Sequence, residues 1–300
     1  NTLDTMPRPL LDRMEVIQLS GYISEEKLAI AKKYLVPKSL GRAGLKKGQV
    51  RYTKPVLMRI ANGYAREAGM RNFEKALDKI HRKVAKKIVL DGFDDTIKLA
   101  PDDLVEYLGQ PVFRHEKLKA PQKPGMAIGL AWTNFGGDVL VIEAVSNPGR
   151  EGFKLTGQMG EVMQESANIA YSYVRHIAPR NNVSLEFFDK NSIHLHIPAG
   201  ATPKDGPSAG ITMASALLSL ATGKKLKKDT AMTGELSLAG SVLPIGGLKE
   251  KTIAARRNGI KRIIMPMQNE RDLEEIPEHV KKGITFVPVE TMEEVIEELF

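Results

Sequence analysis

"GGLKEKTIAARRNGIKRIIMP", Gly246 to Pro266, carries the reading that decides the fold. Through Gly259 the pattern is helical, and Lys261–Pro266 is a strand-like apolar run. The same alternation extends outward. "GDVLVIEAVS", "NSIHLHIPAG" and "GITFVPV" read as strands, and "GEVMQESANIAYSYVRHIA" and "PSAGITMASALLSLATG" read as helices. Strands alternating with helices predict an α/β domain. The first hundred residues read differently. Ser24 is expected to cap "EEKLAIAKKYLV", with Pro37 limiting that helix. "KPVLMRIANGYAREAG", "RNFEKALDKIHRKVAKKIVL" and "PDDLVEYLG" add further helices, and Phe73, Leu77, Ile80 and Val84 form one apolar stripe. The predicted architecture is a small all-helical domain followed by an α/β domain. "HEKLKAPQKPGMA", residues 115–127, is rich in Pro and Lys and reads as the linker.

Composition agrees with two soluble domains: 300 residues, 42% hydrophobic and 27% charged. No stretch is long and apolar enough for a membrane span, and no signal peptide opens the chain. The absence of cysteine excludes disulfides and thiolate metal sites, and makes a reducing, cytoplasmic setting the simpler expectation. The chain opens on Asn1, so it could be a piece of something longer. Its basicity is local. Residues 1–100 hold 21 Lys and Arg against 11 Asp and Glu, whereas residues 101–300 hold 23 against 25. A basic first third could mark a nucleic-acid or phosphate surface, or simply a solvated helical face.

Gly206-Pro207-Ser208-Ala209-Gly210 fits the G-x-S-x-G pattern of a nucleophile elbow, which requires an acid and then a histidine downstream. Only His279 follows Ser208, in a highly charged stretch, and the segment before Ser208 reads as loop rather than strand. Ser208 should instead sit in the first turn of a helix running to Thr222. There, free backbone N–H groups and the helix dipole suit an oxyanion, though a serine could equally serve as a cap. A lysine can take the proton if burial lowers its pKa toward neutrality. A 100° step per residue places Lys251 beside Leu248, Ala254 and Ala255, with Lys249 pointing away. Lys251 is the lysine with apolar neighbours, as a base or as a snorkelling side chain. His194 and His196 project from one strand face, and no third ligand at a convincing spacing accompanies them. Asp205, Thr233 and Glu235 could orient the serine or the lysine, or belong to turns.

Together, "PKDGPSAG", "AMTGELSL", "GSVLPIGGLKEK" and "RDLEEIP", with "GLAWT", "GDVLVIE" and "LTGQMGEVMQES" upstream, resemble the proteolytic domain of the Lon family of ATP-dependent proteases. The resemblance implies a Ser208–Lys251 catalytic dyad, with supporting roles for Thr233, His194, Asp205 and Glu235 and no metal. The first third resembles the end of the same family's AAA+ ATPase module. By that resemblance Arg13 matches an arginine finger, Arg71 a second sensor arginine, and Asn1 a first sensor. The implied organisation is a remnant of the nucleotide-binding core at 1–17, its helical subdomain at 18–114, the linker at 115–127 and the proteolytic domain at 128–300. No G-x-x-x-x-G-K-[ST] occurs, so ATP hydrolysis by this chain alone is not expected; ATP and Mg belong to the full-length family. The expected partners are unfolded proteins or peptides and further copies of the chain in a homo-oligomeric ring, a hexamer in the family. A rival reading takes "HRKVAKKIVL" as a footprint for non-specific DNA binding.

Overall fold

The computed structural model of the chain describes residues 6–15, 21–67, 69–92, 96–113, 123–133, 136–198 and 204–300. They divide into two compact units, 1–115 and 116–300, each with its own hydrophobic core.

The first unit is built from α1 (Arg8–Leu11), α2 (Ser24–Ile30), α3 (Val36–Arg42), α4 (Lys54–Gly63), α5 (Arg71–Asp91) and α6 (Leu104–Leu108). The apolar stripe expected on α5 is present: Phe73, Leu77, Ile80 and Val84 are fully buried against Val56, Leu57 and Ile60 of α4. Three details differ from the sequence expectation. Ile23, not Ser24, holds the cap position of α2, and the Ser24 hydroxyl donates to Asn62 Oδ1 at 2.9 Å. Pro37 does not end the helix. A π-helical segment, Ala31–Leu35, joins α2 to α3, and Pro37 falls in the first turn of α3. The wider turn of the π-helical segment directly before it takes up the proline ring and the missing N–H without ending the helical run. The unit is also not wholly helical, since β1 (Val50–Arg51) pairs in parallel with β2 (Ile97–Lys98).

Three lysines of α5, spaced four apart, reach α6. Lys79 and Lys83 donate to the carbonyls of Leu108 and Glu106 at 3.1 and 2.8 Å, and Lys87 pairs with the Glu106 carboxylate at 2.7 Å. Cations at the open C-terminal carbonyls of a short helix satisfy acceptors that have no partner within it.

The second unit carries the predicted α/β alternation. Its strands are β3 (Met126–Thr133), β4 (Gly136–Pro148), β5 (Gly152–Thr156), β6 (Asn191–His196), β7 (Thr230–Met232), β8 (Glu235–Leu236), β9 (Val242–Leu243), β10 (Arg262–Pro266) and β11 (Thr285–Val289). Its helices are α7 (Glu161–Ile177), α8 (Glu186–Asp189), α9 (Gly210–Thr222), α10 (Leu248–Arg257), α11 (Glu278–Lys281) and α12 (Met292–Leu299). Met126 and Ala127, at the end of the expected linker, already belong to β3. Seven strands form a mixed sheet in the order β11-β10-β7-β3-β4-β6-β5, in which β4 runs opposite to its neighbours β3 and β6. β8 and β9 make a separate small hairpin.

Alternation assigns the two faces. Ile193, Leu195 and Ile197 are buried on the side covered by α7 and α9, leaving His194 and His196 on the other. Two strand glycines mark where helices come close. A Cβ on Gly129 of β3 would touch Thr212 of α9 at 3.3 Å, whereas one on Gly137 of β4 would collide with the backbone of α10 at Glu250. Helices α9 and α10 therefore flank the sheet from opposite sides.

Candidate active site

Ser208 lies in the turn that launches α9, two residues before the first helical residue Gly210, and α9 ends at Thr222 with left-handed Gly223 as its cap. The serine thus precedes the helix rather than occupying its first turn. Pro207 accepts from the Gly210 N–H at 3.1 Å. Among the described residues no group accepts from the Ser208 or Ala209 N–H, and none bonds the Ser208 hydroxyl. Helix α9 is buried along Gly210–Ser219, so its small and apolar residues seat it rigidly behind the turn.

The connection between β7 and β8 fixes this turn. Residues Thr230–Met232 of β7 are all buried in the middle of the sheet, and Thr233 emerges at its carboxyl end, tied by its N–H to the Ile264 carbonyl at 3.0 Å. The Gly234 N–H donates to the Ser208 carbonyl at 2.8 Å, and the Ile211 N–H returns a bond to the Gly234 carbonyl at 3.2 Å. A Cβ on Gly234 would lie 2.9 Å from both the Ile211 and Val242 side chains, which would have to shift to admit it. The Thr233 hydroxyl also donates to the Ser208 carbonyl, at 3.3 Å.

Lys251 reaches the same point from α10. Its side chain is 2% exposed, and its Nζ donates to the Thr233 hydroxyl at 3.0 Å. Burial pushes its pKa down to about 8. The chain Lys251–Thr233–Ser208 carbonyl brings the two residues to one threonine, and no direct hydrogen bond joins the lysine amine to the serine hydroxyl. Lys249, as the helical projection requires, is less buried than Lys251.

Asp205 has a structural task. Its Oδ1 accepts from the Met163 N–H and from the Gly206 N–H, each at 2.9 Å, so a residue of the loop before Ser208 caps the N-terminus of α7. Gly160 leaves room for it, since a Cβ there would lie 2.5 Å from Asp205 Oδ2. Lys204 adds a bridge, its N–H donating to Gln158 at 3.0 Å and its carbonyl accepting from Gly160 at 2.7 Å.

The remaining sequence candidates are held elsewhere. His194 Nε2 and His196 Nδ1 both bond the Thr156 hydroxyl, at 2.8 and 2.7 Å. Burial, then Lys154 and His196, lower the His194 pKa. Glu235 pairs with Leu243 in the small hairpin. In the first unit Arg13 stands on an exposed turn after α1, Arg71 is the exposed first residue of α5, and Asn1 lies outside the described residues. His279, the histidine an elbow mechanism would need, is exposed. Two residues had no sequence signal strong enough to name them: Gly137, behind Lys251, and Asn269, whose contacts are described below.

An α/β unit in which a buried lysine and a serine turn meet at one threonine can be compared with known families. The Lon protease (S16) C-terminal proteolytic domain matches residues 98–300, and the Lon protease AAA+ ATPase lid domain matches residues 41–97. The chain belongs to the Lon protease family. The Lon protease of Treponema pallidum is 59% identical over 99% of the chain, Lon protease 1 of Borreliella burgdorferi 54% over 100%, and the Lon protease of Bacillus thuringiensis 48% over 99%. The chain spans 34–37% of the length of these relatives. The family boundary at 97/98 and the packing boundary at 115/116 differ. Packing decides for the structure, because Leu99, Leu104 and Tyr107 are buried in the core of the first unit. Residues 98–113 pack in the same unit as the residues that match the lid.

Proposed function

We propose that the chain is a serine endopeptidase in which Ser208 is the nucleophile and Lys251 the general base. The observation that carries the reading is the burial of Lys251 against Thr233, whose hydroxyl and following N–H hold the Ser208 turn. At pH 7.5 a lysine with a pKa near 8 is about one-quarter neutral, against about one in a thousand for an ordinary lysine. Neutral Lys251 takes the proton from Ser208 Oγ as that oxygen bonds to the peptide carbonyl carbon. The lysine then returns the proton to the leaving amine as the C–N bond breaks, and water hydrolyses the acyl-enzyme by the same relay. The Ser208 and Ala209 N–H groups are the oxyanion donors. Thr233 accepts one N–H of Lys251 and so aims the nitrogen lone pair. A serine–lysine separation beyond hydrogen-bonding distance in the resting enzyme is compatible with this role, since catalytic contacts tighten on substrate binding.

Asp205 supports the nucleophile loop in this reading. His194 and Glu235, at their Thr156 and hairpin positions, have no step assigned. Arg13 and Arg71 would serve the nucleotide of the longer protein, with ATP and Mg supplied there. The N-terminus of α5 beside Arg71 already holds an anion, the Glu67 carboxylate, which accepts from the Asn72 and Phe73 N–H groups, so the nucleotide role of Arg71 rests on the family resemblance. The substrates are unfolded proteins or peptides, cleaved in the cytoplasm by a homo-oligomeric ring, taken to be a hexamer. In the footprint of the DNA-binding alternative His81 is buried and Lys83 and Lys87 bond α6, while Arg82, Lys83 and Lys86 are exposed.

The test is degradation of an unfolded protein without ATP, comparing the parent with Ser208→Ala and Lys251→Ala. Loss of cleavage in both folded variants is expected. Cleavage that persists in Lys251→Ala would remove the dyad.

A further inference from the structure

Lys251 can work only if α10 starts in the right place, and the sequence leading into that helix is poorly suited to fixing it. Gly246 and Gly247 precede Leu248, and Gly247 adopts left-handed φ 71°. Two glycines impose little conformation of their own. The chain is instead pinned just before them. Asn269, buried in the 3₁₀ stretch Met267–Glu275 after β10, closes its side-chain amide onto the backbone of Ile245. The Ile245 N–H donates to Asn269 Oδ1 at 2.9 Å, and Asn269 Nδ2 donates to the Ile245 carbonyl at 2.8 Å. The second amide N–H goes to Asp272 Oδ2 at 2.6 Å. One side chain thereby pairs both backbone groups of a single residue, as a neighbouring strand would. On the far side of the glycines, Gly137 presses against Glu250–Lys251, and Arg257 of α10 donates to the Gly137 carbonyl at 3.0 Å.

We propose that Asn269 is a positioning residue for Lys251: by clamping Ile245 it fixes the start of α10, keeps the lysine dry and holds its amine at Thr233. The proposal rests on the dyad reading for its catalytic consequence, not for its geometry. Among the charged groups on the elements beside α10, Asp138 pairs with Arg257 at 3.5 Å, Asp272 is bonded to Asn269, and Glu143 lies opposite His196 in the sheet. The other charged side chains of the 3₁₀ stretch are largely exposed, as are Glu278 and His279 of α11, and Lys281 pairs with Glu278 at 2.7 Å. Burial, rather than a neighbouring charge, sets the state of the lysine.

The test uses Asn269→Ala and Asn269→Leu, the second keeping the volume while removing the hydrogen bonds, and neither adding a charge. Acetic anhydride labelling of Lys251, followed across pH by mass spectrometry, reads its titration midpoint without relying on proteolysis. A rise of at least about one pH unit is expected in both variants, as water gains access to the amine. Cleavage of an unstructured fluorescent peptide should lose about tenfold in kcat at pH 7.5, recover in part at pH 9.5, and keep its KM. An unchanged midpoint in folded variants would overturn the proposal. So would unfolding of both, because the amide would then support the fold rather than the lysine. A shifted midpoint with unchanged proteolysis would uphold the clamp and sink the dyad reading.

Discussion

Lys251 is held in conflict with its own charge. A lysine 2% exposed, hydrogen-bonded to a neutral hydroxyl, gains little to offset the loss of water around an ammonium. Its folded pKa of about 8 lies below the unfolded value, so the unfolded chain binds more protons between pH 8 and 10.5. Stability therefore rises with pH across that window, and at neutral pH the buried amine costs up to about 3 kcal/mol. Lys251→Met should abolish cleavage while raising the midpoint of chemical denaturation at pH 7; a destabilised Met variant would contradict the burial argument. The activity of the parent should climb as pH rises from 7 to 9, following the neutral amine. Thr233 can be separated from the lysine by two substitutions. Thr233→Val removes the acceptor and should lower kcat about 10–100-fold, whereas Thr233→Ser keeps the hydroxyl and should retain most activity.

At the scale of elements, the site depends on close approaches that only glycine permits. Gly137→Ala would drive a methyl group into the α10 backbone at Glu250, so strand and helix must separate where Lys251 departs. The expected result is a kcat loss of at least tenfold with little change at the far edge of the sheet, measurable by peptide cleavage beside hydrogen exchange of β5 and β6. These contacts also explain what the sequence could reveal. The helices and strands of the second unit follow from apolar periodicity, and Lys251 was legible because one helical projection separates it from Lys249. Ser208 and Thr233 stood out through local motifs and a family resemblance. Asn269 was not legible, because its partner Ile245 lies 24 residues away and is a backbone group that has no sequence identity. Asp205 reaches 42 residues back to cap α7, for the same reason invisible to periodicity. The π-helical segment that leads into α3 just before Pro37 defeated a rule that holds for regular α-helices.

At the scale of the molecule, two separate cores carry two buried titratable groups whose pH windows lie on opposite sides of neutrality. In the lid, His81 is fully buried on α5, with Nδ1 bonded to the Ser39 hydroxyl at 2.7 Å and Nε2 to the Tyr52 hydroxyl at 2.9 Å. Burial pushes its pKa down to about 4, against a smaller upward pull from Asp78. The folded lid keeps this histidine neutral while the unfolded chain protonates it near pH 6.5, so the unfolded state binds more protons between the two values. Lid stability is then complete above pH 6.5 and falls as pH drops toward 4, by up to about 3 kcal/mol. The proteolytic unit has its lysine-linked window above pH 8, and it should not follow the lid into acid through that group. Calorimetry at pH 7 and pH 5 should therefore show a lid transition that moves down by several degrees while the Lys251 contribution to the second transition stays constant. His81→Gln, which keeps hydrogen-bonding capacity but cannot titrate in this range, should flatten the acid shift of the lid. A lid transition with the same pH dependence in that variant would assign the effect to other groups.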